Sequence, residues 1–400
     1  MRVLISGAGI AGPALAYWLR RYGFEVTVVE VAPAPRPGGQ AVDIRGVARD
    51  VVERMGLMPA VRAKCIDERG FAYVDRRGRL KSRMPADLFG GEGIVADLEI
   101  MRGDLSAVLL EATRDDVDYR FGERIVGIDG TQVRLTRSTE TFDVIVGADG
   151  VHSGVRALAF GPDQDFVHDL GASTAYFTVP DPGDLDHWFH MYGAPGRRNA
   201  AIRPERDGLA KAMLSVAAPV KDRRDLAAAF AGVGWRVPAM LDAMWDADDF
   251  VLDSIAQVKV DRWWRGRVVL LGDAAYCGSP LSGLGTSTSI VGAYVLAGEL
   301  ASSGPEQGFA RYQEAMRAYV TEAQKLPPGG VNGFLPKTRV MITLRNLSMR
   351  MMTRWPMRGL LEKQFQKADA IELKNYEILP VPAPAVTTLM TDDVAVRLKE

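Results

Sequence analysis

Apolar and polar positions along the chain fall into two kinds of run. Continuous apolar stretches of strand length occur at Val3–Ser6, Phe24–Val29, Phe142–Ala148 and Val268–Leu271. Such runs predict strands buried on both faces, as in a parallel sheet. Helical patterns lie between them, over Ala11–Arg21, over Gly46–Gly56, and after Arg102 with Leu105, Val108, Leu109 and Ala112 on one face. Shorter strands are predicted at Gln40–Ile44, Phe71–Val74, Leu80–Met84, Leu98–Met101, Val117–Phe121, Arg124–Ile128 and Gln132–Arg137. After Gly161-Pro162 the pattern changes. Ala172–Val179, His187–Met191, Ala200–Arg203 and Ala212–Ala217 read as antiparallel strands, followed by helices at Arg223–Ala231 and Pro238–Ala247 and a run at Val251–Val260. Two helices, Gly283–Ala301 and one near Pro305–Lys325, lead to a Pro/Gly linker, a helical segment Thr338–Lys367 and a Pro-rich tail. The order predicts an α/β fold. A Rossmann-like unit, residues 1–165 and 260–330, is interrupted by a β-rich insertion at 166–259, and 331–400 forms a C-terminal helical segment and tail.

Composition narrows the partners. A chain of 400 residues with 47% hydrophobic and 25% charged positions is globular, and a formal net charge of −1 suggests no nucleic-acid partner. Cys65 and Cys277 form no CxxC, and His152, His168, His187 and His190 show no metal-ligand spacing, so no disulfide framework or metal site is expected. The first apolar run is broken early by glycines and is no signal peptide. No stretch of ~18 apolar residues occurs, so no membrane span is expected and the default compartment is the cytoplasm.

The chemistry begins at Met1–Glu30. Gly7, Gly9 and Gly12 stand at GxGxxG spacing between a strand and a helix, and Glu30 ends the second strand. Gly7 permits the tight turn, Gly9 lets a pyrophosphate approach the backbone, and Gly12 lets the helix pack against the sheet. The helix start offers N–H groups to phosphates, and Glu30 offers a carboxylate to an adenosine ribose. This unit predicts an adenine dinucleotide and leaves NAD, NADP and FAD open. A second signal spans Val268–Gly285. A buried strand delivers Gly272-Asp273 to a sheet edge, and Pro280, Gly283 and Gly285 precede a helix start. Asp273 suits a polyol, and a bare backbone beside a helix N-terminus suits the anionic edge of a reduced flavin. The third signal is Gly147–Arg156, with Asp149-Gly150 and Ser153 after a buried strand.

With GAGIAG at 7–12 and Glu30, ADGVHSGVR at 148–156 and LGDAAYCGSPLSGLG at 271–285, the chain resembles the FAD-dependent aromatic hydroxylases, the family of para-hydroxybenzoate hydroxylase. Its likeness is greatest to the tetracycline-modifying and polyketide-tailoring members. The resemblance covers roughly residues 1–330. It implies the para-hydroxybenzoate hydroxylase-like fold, with extended FAD, reduction by NADPH or NADH as a transient co-substrate, and capture of O2 as a C4a-hydroperoxide that hydroxylates an electron-rich substrate. It implies that Gly7, Gly9, Ala11 and Gly12 hold the pyrophosphate, Glu30 the ribose, Arg102 the flavin side, and Asp273 the ribityl chain. Asp149 and Gly150 would serve FAD and the nicotinamide nucleotide, and Pro280, Gly283 and Gly285 would lie along the isoalloxazine. Arg36, Asp43 and Arg45 fall where the flavin meets the incoming nicotinamide. Ser287 stands where the family usually has Asn, and Gly292-Ala293 where it usually has Asp-Ala.

No protein nucleophile is required, so no catalytic residue is nominated. A small aromatic or polycyclic substrate is expected between the inserted sheet and the flavin. Strand alternation puts Phe189 and Met191 on one face and His190 and Tyr192 on the other, and one of these sets lines the pocket. Phe177 and Met213 are further candidates. The Arg- and Met-containing segment 338–367 is expected to pack on the rest of the chain, and the assembly to be a monomer or homodimer. The rival readings are a flavin-dependent dehydrogenase or reductase on the same scaffold, and a non-catalytic FAD-binding or ligand-sequestering protein.

Overall fold

A computed structural model describes residues 1–36, 38–89, 91, 93–352 and 366–376. The apolar runs Arg2–Ser6, Glu25–Glu30, Val144–Gly147 and Val268–Leu270 form the centre of a six-stranded sheet, with Asp118–Phe121 and the short Trp264–Arg265 at its edges. All neighbours pair in parallel except Trp264–Arg265 with Val268–Leu270. Val3, Leu4, Ile5, Val28, Val144 and Ile145 have no exposure at all. Helix Ala11–Arg21 and the long helix Gly285–Ala323 cover this sheet and bury Leu15, Trp18, Ile290 and Leu296. The long helix is two helices joined at Gly304, whose φ of 71° breaks the helical run beside Pro305.

A second, seven-stranded sheet runs Val251–Val258, Val167–Pro180, Leu209–Val216, Arg198–Pro204, Trp188–Ala194, Gly70–Val74 and Leu80–Pro85 in spatial order. It is mixed, since Trp188–Ala194 pairs in parallel with Gly70–Val74. Two of its strands come from before residue 166, so the sheet extends beyond the expected 166–259 insertion. One face is covered by helices Arg223–Phe230 and Val237–Met244, which bury Leu226, Phe230, Met240 and Met244 against Phe177, Leu214 and Tyr192. The other face carries Phe71, Tyr73, Met84, Phe189, Met191 and Met213.

Helix Arg339–Met352 closes part of that second face with Met349, while Val340, Leu344, Leu347 and Met351 remain exposed. The remainder of the expected 338–367 helix from 353 to 365, and the tail after 376, lie outside the described residues. Among the described residues, no helix is long and apolar enough to cross a membrane.

Candidate functional site: a dinucleotide groove at the edge of the parallel sheet

The glycine turn is built as its spacing predicts. Gly7 has φ 107°, and a Cβ there would stand 2.8 Å from the Ala148 carbonyl carbon. A Cβ at Gly12 would collide with the Gly7 carbonyl oxygen. Helix Ala11–Arg21 starts with no side-chain cap and no acid in its first turn. Its first N–H groups are left for an external acceptor. The Glu30 carboxylate accepts hydrogen bonds from the backbone N–H of Ala8 and of Ala32, both at 2.9 Å, and Arg36 Nη2 lies 3.6 Å from it. Glu30 thus fixes the turn and closes its far end.

Helix Arg102–Glu111 packs across the same turn. Ser106 Oγ donates to the carbonyls of Ala8 and Gly9 at 3.2 and 3.0 Å. Arg102 is exposed and reaches back, so that its Nη2 is 3.2 Å from where a Cβ of Gly9 would be. Sequence reasoning missed Ser106, although it follows Arg102 by one helical turn and so shares its face.

Asp149 sits at the end of the Val144–Gly147 strand. Its carboxylate accepts from Ser6 Oγ and the Val155 N–H, both at 3.2 Å, and from Ser153 Oγ. Burial pushes the Asp149 carboxyl up, against the pull of these donors. Ser153 also caps helix Gly154–Ala159 by accepting from the Arg156 N–H at 3.0 Å. Arg156 is fully buried, donating to the carbonyls of Ala274 and Val151 at 2.9 and 2.5 Å and to Asp163 at 2.5 Å. It therefore ties the 148–156 segment to the 271–285 segment, a role no local pattern reveals.

In the 271–285 segment Asp273 follows the last parallel strand. Burial pushes its carboxyl up, opposed by the Cys277 thiol and by the Arg102 charge. Ser279 holds φ 79°, a strained angle for a non-glycine residue, and its Oγ accepts from the Leu281 N–H at 3.1 Å. Pro280 and Gly283 are exposed, and Gly283 has φ 68°. Facing them, Arg45 donates to Asp43 Oδ2 at 3.0 and 2.8 Å and to the carbonyls of Gly93 and Ile94 at 2.7 and 3.3 Å. Asp43 Oδ2 would be 3.9 Å from a Cβ of Gly283, and Asp43 Oδ1 is buried without a partner.

The two departures in the long helix have local causes. Ser287 Oγ accepts from the Arg45 N–H at 3.0 Å, linking helix and loop. A side chain at Gly292 would collide with the Tyr276 hydroxyl, which is itself 2.9 Å from Tyr312 Oη. Gly292 belongs to an interior contact.

The residues fit an extended dinucleotide cofactor. Glycines at 7 and 12 admit no side chain, two helix starts carry no acid in their first turns, and a buried carboxylate oxygen awaits a donor. The expected substrate set splits between two faces. Phe177 and Tyr192 pack under the outer helices, and His190 shares Tyr192's face. Their face of the sheet is already filled by helical side chains. Burial, helped by Arg236, pushes the His190 imidazole down. Phe189, Met191 and Met213 lie on the opposite face, with Phe71 5.3 Å from Phe189 between ring centres.

A family described as FAD binding domain matches residues 1–327. The FAD-dependent monooxygenase asL4 of Sarocladium schorii is 37% identical over 325 residues, covering 75% of this chain and 76% of that protein. A flavin-dependent monooxygenase from an unknown prokaryotic organism is 33% identical over 354 residues, covering 84% and 90%. The crystal structure of tetracycline destructase Tet(51) superposes with a TM-score of 0.80 at 32% identity, covering 94% of this chain and 99% of that one.

Proposed function

Since this chain belongs to the FAD-binding-domain family and is an FAD-dependent monooxygenase, we propose that it spends NADPH or NADH to place one atom of O2 on an aromatic or polyketide-like small molecule. The observation that carries this reading is the meeting of three separated segments, 7–12, 148–156 and 271–285, along one edge of one parallel sheet. When bound, FAD supplies the two-electron and oxygen chemistry that no side chain here can perform. The chain's own residues bind and orient. Glu30 accepts the adenosine ribose hydroxyls. The N–H groups at the start of helix Ala11–Arg21 would receive the pyrophosphate, and Arg102 would reach the flavin side. Asp273 accepts from the ribityl chain, and Pro280, Gly283 and Gly285 give the ring a side-chain-free shelf beside a helix start.

The substrate lies against the Phe189, Met191 and Met213 face, where thioethers and aromatic edges suit a flat conjugated molecule. The likeness to a tetracycline destructase supports a polycyclic substrate. Asp149 and Gly150 serve the FAD and the visiting nicotinamide, and Arg36, 66% exposed at the side chain, is placed to meet the latter. A screen of phenols and polycyclic enols for stimulated NADPH oxidation, run under 18O2, tests the reading. The expected result is oxidation coupled to O2 uptake and one 18O in the product. Ligand-stimulated oxidation that persists without O2, leaves no label and reduces the ligand by two electrons would make the chain a flavin-dependent reductase.

A further inference from the structure

On the apolar face of the seven-stranded sheet Arg203 and Lys211 are each paired with carboxylates, whereas another cation, Arg345, enters from the C-terminal helix. Arg345 of helix Arg339–Met352 lays its guanidinium 4.0 Å from the centre of the Tyr73 ring. Its Nη1 donates to the Phe334 carbonyl at 3.1 Å and approaches Asn199 Oδ1 at 3.5 Å. Its Nε and Nη2 are buried and have no hydrogen-bond partner among the described residues. No carboxylate among the described residues pairs with it. A Cβ at Gly193 would stand 2.5 Å from Nη2, so the strand leaves room for this group by carrying a glycine.

A buried guanidinium without a counter-charge is costly. Here burial already pushes its pKa down, with only the Tyr73 ring opposing. Stacking on an aromatic face recovers part of that cost. The surroundings are not those of a structural ion pair. They are Phe71, Tyr73, Met191 and Met349, an apolar wall that adjoins the cofactor groove at two points. Val95, in the same wall, follows the Gly93 and Ile94 carbonyls held by Arg45. Phe334, whose carbonyl Arg345 holds, packs against the same small cluster as Leu281, next to Pro280.

We propose that Arg345 is a specificity-determining residue that pairs its free Nε and Nη2 edge with an acidic oxygen of the substrate, an enolate, phenolate or carboxylate carried by a flat conjugated ring system. This rests on the monooxygenase reading above and adds the charge the substrate carries and the residue that selects it. A guanidinium edge with two donors matches a carboxylate or a β-diketone enolate in geometry. Tyr73 and the methionines hold the ring system it belongs to.

The test uses the FAD-loaded full chain and two probes of matched shape, 2-naphthoate and neutral 2-naphthamide, titrated by calorimetry. The unsubstituted chain is expected to bind the naphthoate about tenfold more tightly than the amide. Arg345→Met is expected to erase that preference to within about twofold, leave amide affinity and FAD content unchanged, and melt at the same or a higher temperature without ligand. Arg345→Lys is expected to keep part of the preference. No preference in the unsubstituted chain, a preference that survives Arg345→Met, or equal weakening of both probes with a lowered melting point would each overturn the proposal. FAD content separates the two readings. A chain without FAD fails the monooxygenase reading and this inference with it, whereas an FAD-loaded chain without the preference fails this inference alone.

Discussion

Single residues decide whether the cofactor groove exists. The Glu30 carboxylate accepts from the Ala8 and Ala32 N–H groups. Glu30→Ala removes it, and FAD affinity is expected to fall about tenfold or more, read by fluorescence titration of the apo-protein. Gly12→Ala forces a methyl group onto the Gly7 carbonyl and is expected to cost at least ~2 kcal/mol in urea denaturation. Glu99 carries a pH signature. It is 4% exposed, paired with Arg203, and its Oε2 has no partner. Burial, with Asp43 and Glu68 nearby, raises its pKa well above the usual carboxylate range, against the pull of Arg203. The fold therefore penalises the charged form. Relative to Glu99→Gln, the native chain is expected to lose stability as pH climbs from the ordinary carboxylate value through the raised one. Parallel urea melts between about pH 5 and pH 8 read the difference, and curves that stay parallel across that range would contradict it.

At the scale of elements, legibility in the sequence divides by distance along the chain. The strand–turn–helix from Met1 to Glu30 was readable because its apolar run, glycines and acid are contiguous. The break in the long helix was readable because Gly304 and Pro305 disrupt it locally. Parallel pairing of Gly70–Val74 with Trp188–Ala194 was not, since nothing in either strand marks a partner more than a hundred residues away. Nor was the face of the insertion that the outer helices cover. Phe177 and Met191 are both apolar strand residues, and only the docking of helices Arg223–Phe230 and Val237–Met244 tells the covered face from the other. Arg156 shows the same limit. Its motif names it, but its bond to Ala274 exists only once two segments have met. Arg156→Met leaves Asp163 with His152 alone and removes the guanidinium from two carbonyls, and a loss of ~3 kcal/mol is expected, measured by urea denaturation. A loss below ~1 kcal/mol would show that the segments hold together without it.

For the whole molecule, the parallel sheet presents the groove and the mixed sheet presents an aromatic and methionine wall, with residues 93–97 and Phe334 joining the two. The long helix contributes to both ends of this arrangement. Its start holds Arg45 through Ser287, and its later half buries Phe309, Tyr312 and Met316 in the parallel-sheet core. On the proposed reading, cofactor and substrate are received on surfaces set by different sheets. Everything inferred about substrate and charge depends on the groove receiving FAD. The most direct measurement is the flavin content of the purified full chain, by visible spectrum and by titration after removal of flavin. One FAD per chain, retained through gel filtration and lost from Glu30→Ala, is the predicted result. A colourless chain that takes up no FAD at saturating concentration would contradict the account.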